Sequence, residues 1–181
     1  MKLDNLFKLV IAVAVSELAG IIGSVFTVTS IQNWYATIMK PPLNPPNWIF
    51  APVWTAIFIL MGISLYLVWS ERFVVKNELK IPKRRVWNNW SGKLLSGKWQ
   101  KANIILIFIL QLILNVLWSI IFFGAHSPGA AFFELLMLWF AIIFTIINFC
   151  RVSKTAALLL LPYILWVSFA AILNYFIWIL N

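Results

Sequence analysis

The side chains able to do chemistry in this chain are mostly indoles and amides, with few acids, bases or nucleophiles. Gln111, Asn115 and Trp118 stand at i, i+4 and i+7, and Trp166, Ala170, Asn174 and Trp178 follow at steps of four. Each set therefore lies along one face of a helix. Amide donors and flat rings converging from two helices suit a flat, largely apolar ligand with a few carbonyl or carboxylate acceptors. The same stripes also serve as polar glue between helices, at about 0.6 kcal/mol per hydrogen bond. Glu17 interrupts a long apolar stretch, where an ionisable side chain costs roughly 2.5–3.5 kcal/mol at mid-membrane. It must face protein or a wet cavity, either as a proton or ligand group or as a protonated carboxyl hydrogen-bonded between helices. Glu134 falls near an end of another stretch and is expected at its lip. One cysteine, Cys150, and one histidine, His126, exclude an intrachain disulfide and build no zinc set or Cys/His pair. No acid/base pair, nucleophile or Gly-rich phosphate loop supports conventional catalysis. The residues imply no catalytic group of that kind, no metal and no cofactor.

The elements that position these residues follow from solvent preference. Of 181 residues, 63% are hydrophobic and 10% charged, against roughly 25% charged in a soluble domain. A helical span of a ~30 Å hydrocarbon core needs about 20 apolar residues. Five stretches meet that length, at about 6–29, 48–69, 103–123, 130–149 and 156–180. The first follows Lys2 and Lys8 as a signal peptide would, but it outruns the 7–15 residues typical of a cleavable core and is read as a helix that stays. Strand alternation is absent, and helices satisfy their own backbone in lipid. The expected fold is all-α, a single membrane domain over 1–181 with five transmembrane helices.

The net charge of +9 could point to nucleic acid, but nine of the fourteen basic residues lie between Arg72 and Lys101. Thirteen of the fourteen, in the amino terminus, the 70–102 loop and the Arg151–Lys154 turn, fall on one side of the spans, and only Lys40 on the other. The positive-inside rule then puts the amino terminus and the basic loop in the cytoplasm and the carboxyl terminus outside. No nucleic-acid partner is implied. Trp87, Trp90 and Trp99 punctuate the loop, which is expected to lie on the membrane surface, its cations attracted to anionic lipid at about 1 kcal/mol each.

Three local patterns add detail. Ala12, Ser16, Gly20 and Ser24, with Ala19 and Gly23 beside them, make a flat small-residue face for close helix approach, either between two copies of the chain or within one bundle. Pro162 should kink the last span near Leu158–Leu161, opening a space that is either a ligand cavity or filled by Tyr163. From Trp34-Tyr35 through Lys40-Pro41-Pro42 to Pro45-Pro46, the prolines exclude a helix and stiffen the connection. That segment reads as a lid holding Trp34 and Tyr35 over the outer mouth of the bundle, ahead of an ordinary rigid connector.

These anchors, with Ala51-Pro52-Val53-Trp54, Met61-Gly62, Gln111-Leu112, Leu114-Asn115, Phe122-Phe123-Gly124-Ala125, Arg151-Val152-Ser153, Pro162-Tyr163-Ile164-Leu165-Trp166, Phe169-Ala170 and Leu173-Asn174-Tyr175, run in order through nearly the whole chain. The succession resembles the translocator protein family, TspO/MBR, which includes the peripheral benzodiazepine receptor. The resemblance implies a five-helix bundle, commonly a homodimer, with a pocket beneath the first loop that binds porphyrins and, in animal members, cholesterol and benzodiazepine-type drugs. It implies that Trp34, Tyr35 and Pro42 belong to the closing loop, that Trp54 and Trp166 flank the porphyrin, that Asn115 donates a hydrogen bond and that Ala170 lines the wall. Gln111, Trp118 and Asn174 join this ligand-binding set from the stripes. The sterol-recognition pattern lacks its cation, since Ile179, Leu180 and Asn181 follow Tyr175. The function so implied is a membrane receptor, sensor or carrier for a protoporphyrin-like tetrapyrrole or other hydrophobic small molecule. The alternatives are light-dependent oxidative porphyrin breakdown using the pocket indoles, and a structural membrane protein or other small-molecule transporter. A bacterial plasma membrane stands ahead of an organelle membrane as its location.

Overall fold

The computed structural model describes residues 3–71 and 97–181. Helix α1 (Leu3–Ile31) leads into a single turn, α2 (Trp34–Thr37), and through the proline segment to a 3₁₀ turn at Asn47–Ile49 that opens α3 (Phe50–Ser70). Helix α4 (Gly97–Ser119) continues into a π-helical turn at Ile120–Gly124, followed by α5 (Pro128–Cys150), the short α6 (Lys154–Leu158) and α7 (Leu161–Leu180). Five apolar segments, Leu3–Ile31, Asn47–Ser70, Ala102–Gly124, Pro128–Cys150 and Lys154–Leu180, are long enough to cross a membrane. No strand occurs among the described residues. The all-α, five-span expectation holds, the spans starting one to three residues before their predicted starts and ending at, or one or two residues after, their predicted ends. The expected surface position of the basic loop concerns residues 72–96, outside the described residues.

Polar and small residues draw the helices together, because lipid tails give Leu and Phe no reason to leave them. Ala12, Ser16, Ala19 and Gly23 are buried within this one bundle, so these four pack internally, while Gly20 is half-buried and Ser24 exposed. Ser16 Oγ donates a hydrogen bond to the Ala12 carbonyl at 3.0 Å. The α1–α3 approach is close enough that a Cβ on Gly62 would fall 2.5 Å from Val13 Cα. Ser119 donates to the Gly23 carbonyl at 2.7 Å and Ser30 to the Phe123 carbonyl at 2.6 Å, joining α1 to α4 and its π turn. Ser64 donates to the Ala156 carbonyl at 2.7 Å, tying α3 to α6.

The last span breaks where Pro162 requires it. Leu159 and Leu160 form a turn between α6 and α7, because the proline ring cannot donate to the carbonyl four residues back. The space beside the break is filled by Tyr163, 1% exposed, whose hydroxyl accepts a hydrogen bond from Asn115 Nδ2 at 3.1 Å. Glu134 departs from expectation: it is not at a lip but 2% exposed, because α5 begins at Pro128 and has made more than a turn into the bundle before reaching it.

Candidate functional site

A cavity of about 300 Å³ occupies one half of the bundle, between α1, α3, α4 and α7. That places it at the lower end of the ~300–1,000 Å³ range of small-molecule sites. Its α1 wall runs from Ile31 under the lid down to Glu17, and includes Gly20, Gly23, Ser24 and Thr27. Phe50, Ala51, Trp54, Thr55 and Phe58 come from α3, Asn115, Trp118, Ser119, Phe122 and Phe123 from α4 and its π turn, and Ala170, Leu173, Asn174 and Ile177 from α7. Ile21, Ser24 and Val28 on α1 and Ala51 and Thr55 on α3 line it and are also exposed, so the cavity opens sideways between these two helices, toward hydrocarbon.

Rings form one continuous side. Trp54 stacks on Phe58 at 5.6 Å and 27°, meets Trp118 at 6.5 Å and 32°, and Trp118 stacks on Phe122 at 5.4 Å and 22°. The π turn, in which Ala125 N donates to the Ile120 carbonyl at 2.8 Å, follows Trp118 and Ser119 and holds Phe122 and Phe123 inside, 3% and 7% exposed. Such wider turns recur at functional positions in helices. The ring of Trp118 is fixed by its N–H, which donates to Asn174 Oδ1 at 3.2 Å, while Asn174 Nδ2 donates to the Pro128 carbonyl at 2.6 Å. The wall hydroxyls are likewise engaged. Ser24 donates to the Ile21 carbonyl at 2.7 Å, Thr55 to the Ala51 carbonyl at 3.0 Å, and Thr27 and Ser119 share a bond of 2.9 Å.

Above the cavity, the proline segment folds back on the bundle. Tyr35, 3% exposed, packs on Phe122 and Phe123 and donates to Asn44 Oδ1 at 2.6 Å. Lys40 Nζ stands 4.7 Å over the Tyr35 ring. Trp34 packs edge-on to Phe122 and stacks on His126 at 4.6 Å, linking the segment to the turn before α5. Asn181 closes the far side, donating to the Met39 carbonyl at 3.0 Å and accepting from Met39 N at 2.9 Å.

Burial pushes the Tyr35 hydroxyl up to about 12, against the opposing pull of its bond to Asn44. Below pH ~10, where a free tyrosine keeps its proton, the closed segment gains nothing from pH. Between about 10 and about 12 an opened Tyr35 ionises and a closed one does not, so closure weakens with rising pH by about 2–3 kcal/mol in all. A tyrosinate absorbance titration should lose its step near 12 in Tyr35→Phe.

Of the residues singled out in the sequence, Tyr35, Trp54, Asn115, Trp118, Ala170 and Asn174 line the cavity together. Trp34 is one ring behind it, in the lid, and Pro42 is on the exposed outer side of the lid. Gln111 is 1% exposed, one helical turn below Asn115 and away from the cavity, with no protein partner for its amide among the described residues. Trp166 packs against Phe50 and Phe169, a layer behind the wall. Gly20, Gly23 and Ser24, read as packing residues, are also wall residues, since close approach leaves them facing the space beside the contact. Phe50, Phe58, Phe122 and Phe123 were missed as site residues; the Phe122-Phe123 pair stood among the sequence anchors, but nothing in a uniformly apolar helix marks which rings face inward.

Residues 12–179 match the TspO/MBR family. The chain is 38% identical over 177 residues to the "Tryptophan-rich protein TspO" of Archaeoglobus fulgidus, covering 98% of this chain and 99% of that one. It is 37% identical over 180 residues to the protein of the same name from Chlorobaculum tepidum, covering 98% of each. The human "Translocator protein" is 35% identical over 158 residues, 87% of this chain and 80% of that one. Lid, lateral cavity and five spans thus sit on a sequence alike from end to end, and this integral, multi-pass membrane protein belongs to the TspO/MBR family.

Proposed function

We propose that the protein is a membrane receptor or carrier for a flat tetrapyrrole of the protoporphyrin type, held in the cavity beneath the proline lid. The observation that carries this reading is the run of rings Phe58, Trp54, Trp118 and Phe122, inclined at 22–32° to one another along one wall. Offset-stacked rings favour a planar π-system over a branched aliphatic one. The names of the relatives, a "Translocator protein" among them, agree with a carrier. In this reading the thirteen-to-one division of basic residues sets the lid on the outside and the basic loop in the cytoplasm of a bacterial cell. The chain works as a homodimer.

Titration of the purified protein with protoporphyrin should quench tryptophan fluorescence to a plateau at one ligand per chain. Quenching that rises without saturation, as in protein-free detergent, would remove the proposal. A second reading, light-driven oxidation of bound porphyrin, is favoured by the adjacent Trp54 and Trp118 indoles. Bleaching of the bound pigment that is unchanged in Trp54→Phe with Trp118→Phe would dismiss it.

A further inference from the structure

Glu17 lies midway between Leu3 and Ile31, the two ends of α1, and it closes the cavity wall at its deepest point on that helix. At 1.5 Å per residue, the wall from Ile31 to Glu17 descends about 21 Å, from the lid to the middle of the span. The surroundings at that depth are the Gly20 backbone and, from α3, the Phe58 ring that covers it. Glu17 as a residue is half-buried, and its Oε1 is buried with no protein partner among the described residues. The Asn115 and Asn174 amides, the Trp118 N–H and the Ser and Thr hydroxyls of the wall hydrogen-bond within the protein. Among the described residues no Lys, Arg or His stands on the wall to answer a carboxylate.

We propose that Glu17 is the polar anchor of the cavity floor, its carboxylate accepting a hydrogen bond from an N–H or protonated amine at the buried end of the ligand. The site thereby selects, among flat apolar ligands, those that lead with a donor. A carboxylate offers acceptor positions and no donor, and a charge-assisted bond is about twice as strong as a neutral one. The low dielectric of the site raises the cost of leaving the carboxylate unanswered as much as it raises the value of the bond. A ligand that presents a carboxylate of its own to the floor gains no such bond, which needs a protonated amine or N–H, so acidic arms point to the mouth. This inference rests on the ligand-binding reading above.

The test uses the full chain and two probes on one scaffold, a porphyrin with a short aminoalkyl arm and the same porphyrin with a methoxyalkyl arm, each followed by tryptophan quenching. Wild type is expected to bind the amine form at least about tenfold more tightly, and Glu17→Gln to cut that preference, read as the ratio of the two affinities, below about threefold. Equal affinity of wild type for the two probes overturns the anchor without any variant, and a preference that survives in Glu17→Gln overturns it as well. In both cases saturable binding of the methoxy form leaves the tetrapyrrole reading standing. If neither probe reaches a plateau, that reading falls and the anchor falls with it.

Discussion

Gly62→Ala should be among the most damaging single-methyl changes in the bundle. The added Cβ meets Val13 Cα at 2.5 Å and Val13 N at 2.9 Å, and these are backbone atoms of α1 that no rotamer change can move aside. Helices α1 and α3 must part, which loosens the buried row Ala12, Ser16 and Ala19 at the same time. Overpacking of this kind costs about 1–3 kcal/mol, or a melting point lower by roughly 2–12 °C in a chain of this size. Gly23→Ala provides the contrast. Its Cβ would meet Ser119 Cβ at 3.5 Å, an ordinary contact, and the helix gains up to about 1 kcal/mol of propensity. Thermal denaturation in one detergent should therefore separate the two variants, with Gly23→Ala at or above wild type. Equal melting of Gly62→Ala and wild type would show that the α1–α3 approach does not depend on the missing side chain.

The second large effect separates two tryptophans that the sequence treats alike. Trp54 lies on the wall and touches Phe58, Trp118 and Tyr163, while Trp166 meets Phe50 and Phe169 from behind. Loss of the Trp54 ring removes stacking area at the centre of the site, where truncation of a buried aromatic costs about 2 kcal/mol or more. Trp54→Ala is expected to weaken protoporphyrin binding by roughly thirtyfold or more, and Trp166→Ala by less than about threefold. Fluorescence quenching by the remaining indoles measures both. If Trp166→Ala proves as damaging as Trp54→Ala, the ligand contacts α7 below Ala170 and the wall has been drawn one layer too far in.

Much of the architecture could be read from the chain because a bilayer asks simple questions of it. Span length and the prolines at 41–46 and 162 each answer to one physical requirement, and the helix break at Leu159–Leu160 came where Pro162 dictated. The site was harder. A stripe at helical spacing gives direction about the axis but not depth along it. The face carrying Gln111, Asn115 and Trp118 therefore crosses the cavity floor, with Asn115 and Trp118 on the wall and Gln111 beneath it. On α7 the same logic grouped Trp166 with Ala170 and Asn174, but its ring turns toward Phe50. The π turn at Ile120–Gly124 left no trace in composition, because Ile and Phe suit an α-helix in lipid equally well. The small residues of α1 gave their spacing away but not their double use, packing on one side and bordering empty space on the other.

The sideways opening between α1 and α3 also decides what concentration means for this site. A ligand that reaches Ile21, Ser24 and Thr55 through the hydrocarbon is in equilibrium with its own pool dissolved in the acyl chains, and that pool is already enriched over water by the burial of its apolar surface. Occupancy is then set by the mole fraction of ligand among lipids. The same protein at the same molar dose will look tighter in a lipid-poor preparation and weaker as lipid or detergent is added, with no change at the site itself.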